Sequence, residues 1–130
     1  MSRLRGSMIV VAFAAILAIA GCKEFHLSTA GLDIGPNPAF PGDTVVASFF
    51  LDLIPVQRHT IIVHIDDTEL MRVTDSAAPT NPVILELGDA ADIIADHGVG
   101  EHVLQIEVQA HDSGGSTRTR AVVLDLRESN

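Results

Sequence analysis

The sequence predicts an all-β chain: an antiparallel β-sandwich of about seven strands with one short helical turn, preceded by an apolar leader helix. Three observations predict it. From Thr44 onwards apolar residues recur at every second position in one short run after another. Turn formers punctuate the runs at Gly35-Pro36-Asn37-Pro38, Pro41-Gly42-Asp43, Pro55, Asp66-Asp67-Thr68 and Ser113-Gly114-Gly115-Ser116. Helical spacing is confined to Asp89–Asp96. Many short strands with almost no helix favour two packed antiparallel sheets.

The elements follow in order. Phe25 and Leu27 alternate with polar residues, which suits an edge strand that Leu32 and Ile34 continue. The prolines after Gly35 fix φ and remove donors, so a rigid connection outside the ladders is expected there. Thr44–Leu53 is the strongest strand, with Val45, Ala47, Phe49, Leu51 and Leu53 on one face. Val46 and Phe50 make the second face partly apolar, as in a central strand. Thr60–Ile65 and Glu69–Thr74 form a hairpin about Asp66-Asp67-Thr68. Ser76–Pro82 is a loop of small residues and proline, and Val83, Leu85 and Leu87 mark the next strand. Asp89 is placed to cap a helical turn with Ile93 and Ile94 inward, and Gly98 to end it. Glu101–Asp112 places Leu104, Ile106, Val108 and Ala110 inside. Thr117–Leu126 closes the sheet with Val122, Leu124 and Leu126, and 127–130 is a tail.

The N-terminus carries an address. Arg3 and Arg5 precede an unbroken run of 13 apolar residues, Met8–Ala20. A membrane-spanning helix needs about 20, whereas a basic start, a short apolar core and small residues before a cut make a secretory signal peptide. The segment Ile19-Ala20-Gly21-Cys22 resembles the lipobox of bacterial lipoproteins. That resemblance implies cleavage between Gly21 and Cys22, removal of 1–21, and acylation of Cys22 on its thiol. Cys22 is the only Cys, and an unpaired Cys in an exported chain calls for such an explanation. Two or more acyl chains hold a protein stably on a bilayer. Residues 22–24 then form the anchor and a short linker before a domain at 25–127. Lys23 in place of the Asp that resembles an inner-membrane retention signal points to the outer membrane, facing the periplasm.

A second resemblance lies in the domain. Pro41-Gly42-Asp43-Thr44-Val45 resembles the start of bacterial immunoglobulin-like domains of the cell-envelope and adhesion type. Gly100-Glu101-His102-Val103-Leu104 and Ala110-His111-Asp112-Ser113-Gly114-Gly115 are similar to their penultimate strand and last turn. The resemblance implies an immunoglobulin-like sandwich without the core Trp or paired cysteines of antibody-type members. It implies no activity.

Composition narrows the partners. The chain has 8 Lys and Arg against 17 Asp and Glu; without Arg3 and Arg5 the balance is 6 against 17, a formal −11. Such a surface repels phosphate backbones and anionic headgroups, which argues against nucleic acid and for a body that stands off the membrane and touches it only through the lipid, and no nucleotide fingerprint occurs. Trp and Tyr are absent, so the usual anchors of sugar sites and tight interfaces are missing. No nucleophile elbow and no zinc-protease motif occurs, so no catalytic residue is assigned; a small hydrolase is the least favoured reading. The acidic turn Asp66, Asp67 and Glu69 is the candidate cation site, for Ca²⁺, which takes several oxygen ligands; an ordinary solvated turn is the simpler reading. Asp89, Asp92 and Asp96 at helical spacing offer a second acidic face. His59 and His64 fall on opposite faces of one strand, and His97 and His102 flank a glycine-containing loop where they can meet. The expectation is a lipoprotein held to the bilayer through Cys22 and binding another envelope protein, with a Ca²⁺-responsive accessory protein as the alternative.

Overall fold

The computed structural model describes residues 25–112 and 114–129. The leader 1–21, the Gly21–Cys22 junction and the linker 22–24 lie outside these residues, as does Ser113. The elements are β1 His26–Gly35, β2 Thr44–Ile54, β3 His59–Ile65, β4 Thr68–Asp75, β5 Val83–Asp89, α1 Ala90–His97, β6 Gly100–Ala110 and β7 Ser116–Leu126. They form two antiparallel sheets, β1-β2-β5 and β4-β3-β6-β7. This is an immunoglobulin-like sandwich whose fourth strand lies on the β3-β6-β7 sheet.

Alternation builds the core. Val45, Ala47, Phe49, Leu51 and Leu53 of β2 meet Ile61, Val63 and Ile65 of β3 and Leu104, Ile106 and Val108 of β6 in one cluster. Leu124 and Leu126 of β7 complete it, with Val122 partly buried against them. The outer face of β2 leaves Phe50 54% exposed, although the strand is central in its sheet. Its ring lies against Gly31, whose φ of +65° sits in a bulge of β1 between Ala30 and Asp33.

The expected helical turn is α1. Asp89 caps it by accepting from the Ala91 N–H at 2.8 Å, and the Gly98 N–H donates to the Ile94 carbonyl at 2.7 Å. Ala90 and Ile93 are buried, and Ile94 packs partly against the core. The same Asp89 oxygen takes the Gly42 N–H at 3.0 Å. The Ala90 N–H in turn donates to the Asp43 carbonyl at 2.8 Å. The Pro41-Gly42-Asp43 turn is thus clamped to the start of α1.

The proline segment after β1 differs from expectation. It joins a ladder: Ala39 forms a parallel bridge to Leu126, with its N–H on the Asp125 carbonyl at 2.9 Å. The Asn37 side chain donates to the Val123 carbonyl at 2.8 Å and accepts from the Asp125 N–H at 2.9 Å. Prolines leave the carbonyls and the intervening residues free to pair, so this segment caps part of the outer edge of β7. It also holds the start of the tail, through the Arg127 N–H on the Ala39 carbonyl at 2.9 Å.

Candidate functional site

Antiparallel alternation sorts the loops onto two ends. One end gathers the entry to β1, the 55–58 loop, the 76–82 loop and the β6–β7 turn. The other gathers the 36–43 segment, the Asp66-Asp67 turn and α1.

A concavity opens beside the first end, between β4 and β5. β4 pairs only with β3 and β5 only with β2 among the described residues, so their outer edges flank the opening. The cleft holds about 390 Å³ and is lined by Ile61, Val73, Pro79, Pro82, Ile84 and Leu85, among others. Ile84 is 66% exposed and Val73 37%. Three polar residues line it: Thr80 of the 76–82 loop, and the register partners His59 on β3 and Asp75 at the end of β4. His59 is buried and donates from Nδ1 to the Gln57 carbonyl at 2.9 Å, which leaves Nε2 as its remaining polar atom. Asp75 accepts the Ala77 and Ser76 N–H groups at 3.0 and 2.7 Å, which hold its carboxyl below the usual range.

The wall of the cleft is fastened by a side chain. β5 stops pairing at Val83, opposite Phe49, and Pro82 has no N–H to continue. Asn81 stands where the next partner of Leu51 would be. Its Oδ1 accepts the Leu51 N–H and its Nδ2 donates to the Leu51 carbonyl, both at 2.8 Å. An apolar cleft with few polar groups is the usual form of a binding site. The sequence reading assigned no role to His59, Asp75 or Asn81 here. The one available signal was Asn81-Pro82 at the head of a strand, a pairing that ends a ladder while offering an amide.

The candidate cation turn is the hairpin turn that the sequence implies, and two of its carboxylates have partners within the chain. Asp66 and Asp67 have φ of 47° and 71°, and the register His64↔Glu69, Ile65↔Thr68 makes them the two central residues of a type I′ hairpin turn. The Asp66 carboxylate turns to β6, accepting the Val103 N–H at 2.9 Å on Oδ1 and the His102 Nδ1–H on Oδ2. These bonds, the His102 one foremost, hold Asp66 below the usual carboxylate range. Glu69 takes Arg72 on both oxygens, at 2.8 and 3.2 Å. Two of the three carboxylates therefore already have partners. Among the described residues no three His, Cys, Asp or Glu side chains converge as a metal site. Asp89 is engaged as a cap, so the acidic face of α1 reduces to Asp92 and Asp96, both exposed.

The histidines are placed as the spacing implied. His59 and His64 fall on opposite faces, with His64 3.3 Å from Glu107. His97 and His102 do meet, edge to face, with ring centroids 6.3 Å apart. His102 has no ring nitrogen to spare: Nδ1 faces Asp66 and Nε2 lies 2.8 Å from the Gly98 carbonyl. Burial pulls its pKa down, but the Asp66 and Gly98 hydrogen bonds and the Asp66 charge outweigh it, leaving the group raised.

Fold and cleft together define an all-β, immunoglobulin-like sandwich with an edge cleft. No family model matches the chain, and no curated protein or solved structure is significantly similar to it.

Proposed function

We propose that the chain is a lipid-anchored, extracytoplasmic module that binds another protein of the cell envelope and performs no catalysis itself. The observation that carries the reading is the apolar cleft between β4 and β5, open beside the same end at which the chain enters from Cys22. Exposed Ile84 and Val73 offer apolar area, the unpaired edges offer backbone donors and acceptors, and His59 and Asp75 supply polar discrimination. Anchoring makes the partner's capture effectively intramolecular, so modest affinity suffices. The lipobox-like Ile19–Cys22 and the solitary Cys support the address. The engagement of Asp66 and Glu69 by Val103, His102 and Arg72 supports this reading over a Ca²⁺-responsive one.

The test places a photo-activated cross-linking residue at Ile84, and separately at Val99 on the opposite end, in the membrane-held protein. A discrete envelope-protein adduct from position 84 and none from 99 is expected. Equal adducts from both positions, or none from 84, defeats the cleft as the site. Mass analysis of the same material reads the anchor: an acylated Cys22 as first residue is expected, and an intact 1–21 segment defeats it.

A further inference from the structure

We infer that the end of the sandwich bearing Ile54, Pro55 and Val56 rests directly on the bilayer, with Ile54 and Val56 in the headgroup–acyl boundary. The inference depends on acylation of Cys22, as proposed above.

Reach sets where the anchor can enter. Cys22 precedes Phe25 by three residues, which span at most about 11 Å even when fully extended. β1 begins at His26, and His26 is the register partner of Ile54. The acyl anchor therefore enters the bilayer within a few residues' reach of Ile54. At that end, Ile54 is 49% and Val56 52% exposed, flanking Pro55 in the loop that leads to β3. An isolated exposed valine is unremarkable on a soluble surface. Two large apolar side chains flanking a proline, beside the anchor, are placed to meet lipid as the body is drawn down.

Charge distinguishes the two ends in the same sense. At the anchored end Arg58 and Arg118 face Asp52, Asp75 and Asp112, which is close to balance. At the other end lie Asp43, Asp66, Asp67, Asp89, Asp92, Asp96, Glu101 and Asp125, with Arg127 as the nearby cation. The acidity that argues for a body standing off the membrane is thus concentrated at the end away from the anchor. Anionic headgroups repel the second end and tolerate the first. The far end also carries exposed Val99, Val103 and Val123. These lie among the acids, and β2, with 11 residues, sets the ends roughly 35 Å apart. A linker of about 11 Å cannot bring that patch to the surface while the near end stands off it.

The experiment uses the full acylated protein in vesicles of phosphatidylcholine and phosphatidylglycerol. Because Cys22 is acylated, Val56→Cys and Val99→Cys each supply a single free thiol for an environment-sensitive fluorophore. With nitroxide-bearing lipid at the headgroup depth, the label at 56 is expected to shift to the blue and lose most of its emission. The label at 99 is expected to keep its aqueous emission. Protein that floats with vesicles but shows no quenching at 56, or equal quenching at both positions, overturns the seating and leaves the anchor standing. Protein that fails to float and lacks the acyl mass overturns both. An Ile54→Asp, Val56→Asp pair checks the cause: it should leave flotation intact and restore aqueous emission to a label at the exposed Arg58→Cys.

Discussion

Asn81→Ala should loosen the wall of the cleft by a predictable amount. Asn81 is the one side chain that completes the β2–β5 ladder, through both backbone groups of Leu51. Leu51 is 1% exposed, so water replaces those bonds only if the 76–82 loop lifts. Each hydrogen bond is worth about 0.5–1.5 kcal/mol net, so the pair amounts to roughly 1–3 kcal/mol. A domain of this size has a urea slope near 1–2 kcal/mol/M, so the unfolding midpoint should fall by roughly 0.5–3 M. The assay is urea denaturation of the chain from residue 23 onwards. Asn81→Asp discriminates mechanism from bulk: it keeps the acceptor for the Leu51 N–H but sets an oxygen against the Leu51 carbonyl. It should therefore be no more stable than the alanine variant. An alanine midpoint within about 0.3 M of the parent, or an aspartate variant as stable as the parent, would refute the ladder-completing role. Because the loop is a cleft wall, the alanine variant should also lose the position-84 adduct at denaturant-free conditions.

Three further outcomes follow from named contacts. The His102–Asp66 pair predicts a pH dependence of stability. A raised His102 contributes fully below its unfolded pKa of about 6.5 and loses that contribution as pH rises through the folded value. A lowered Asp66 contributes above about 3.8 and loses it as pH falls through its folded value. Melting temperature should therefore decline from pH 6 towards 8.5, and Asp66→Asn should flatten that decline; an unchanged slope would remove the pair as its cause. Gly31→Ala should cost about 1–2 kcal/mol through its φ of +65° alone, plus the crowding of a Cβ 3.3 Å from the Phe50 ring. Thermal melting with and without Phe50→Ala separates the two, and a neutral Gly31→Ala would show that the bulge is not where the strand bends. Asp67→Gly should stabilise the domain by roughly 0.5–1 kcal/mol and so raise the urea midpoint, because the second central position of a type I′ turn favours glycine; a lower midpoint would mean that Asp67 makes a contact worth more than its backbone strain.

Periodicity made most of the fold readable. A one-residue slip would have sent Val45, Phe49 and Leu51 to solvent, so the alternation left little freedom in β2, and the same holds for β6. The cap of α1 was equally legible, because Asp89 and Gly98 act on neighbours a few residues away. Local patterns fail where a side chain acts across the fold. Asp66 reaches His102 and Val103, 36 and 37 positions on, and nothing in Asp66-Asp67-Thr68 distinguishes that from a solvated or ion-binding turn. His59, Asp75 and Ile84 become one site only because β4 pairs with β3 while β5 pairs with β2, leaving a gap between sheets. The proline segment misled in the other sense: its lost donors are real, yet Asn37 and Ala39 between and beside the prolines still found β7.

The acidic balance then acquires a structural account in place of a ligand. Asp43, Asp66 and Asp89, three acids of the far end, accept backbone N–H groups of Phe40, Val103, and Gly42 with Ala91. In a chain with one Cys, and so no internal disulfide, Asp66 ties its turn to β6 and Asp89 ties the start of α1 to the 36–43 segment, 37 and 47 positions apart, while Asp43 and Asp89 also cap their own turns. Side-chain oxygen is well suited to this, since a carboxylate accepting backbone N–H bonds is stronger than a neutral acceptor. The near end is fastened by neutral amides, Asn81 on Leu51 and Gln57 on the Asp112 N–H at 2.9 Å. Neither type is confined to one end: the Asn37 amide holds β7 at the far end, through Val123 and Asp125, and the Asp75 carboxylate clamps its own loop at the near end, through Ser76 and Ala77. What both ends share is a turn residue whose side chain, in place of a covalent link, meets backbone groups that no ladder partner reaches.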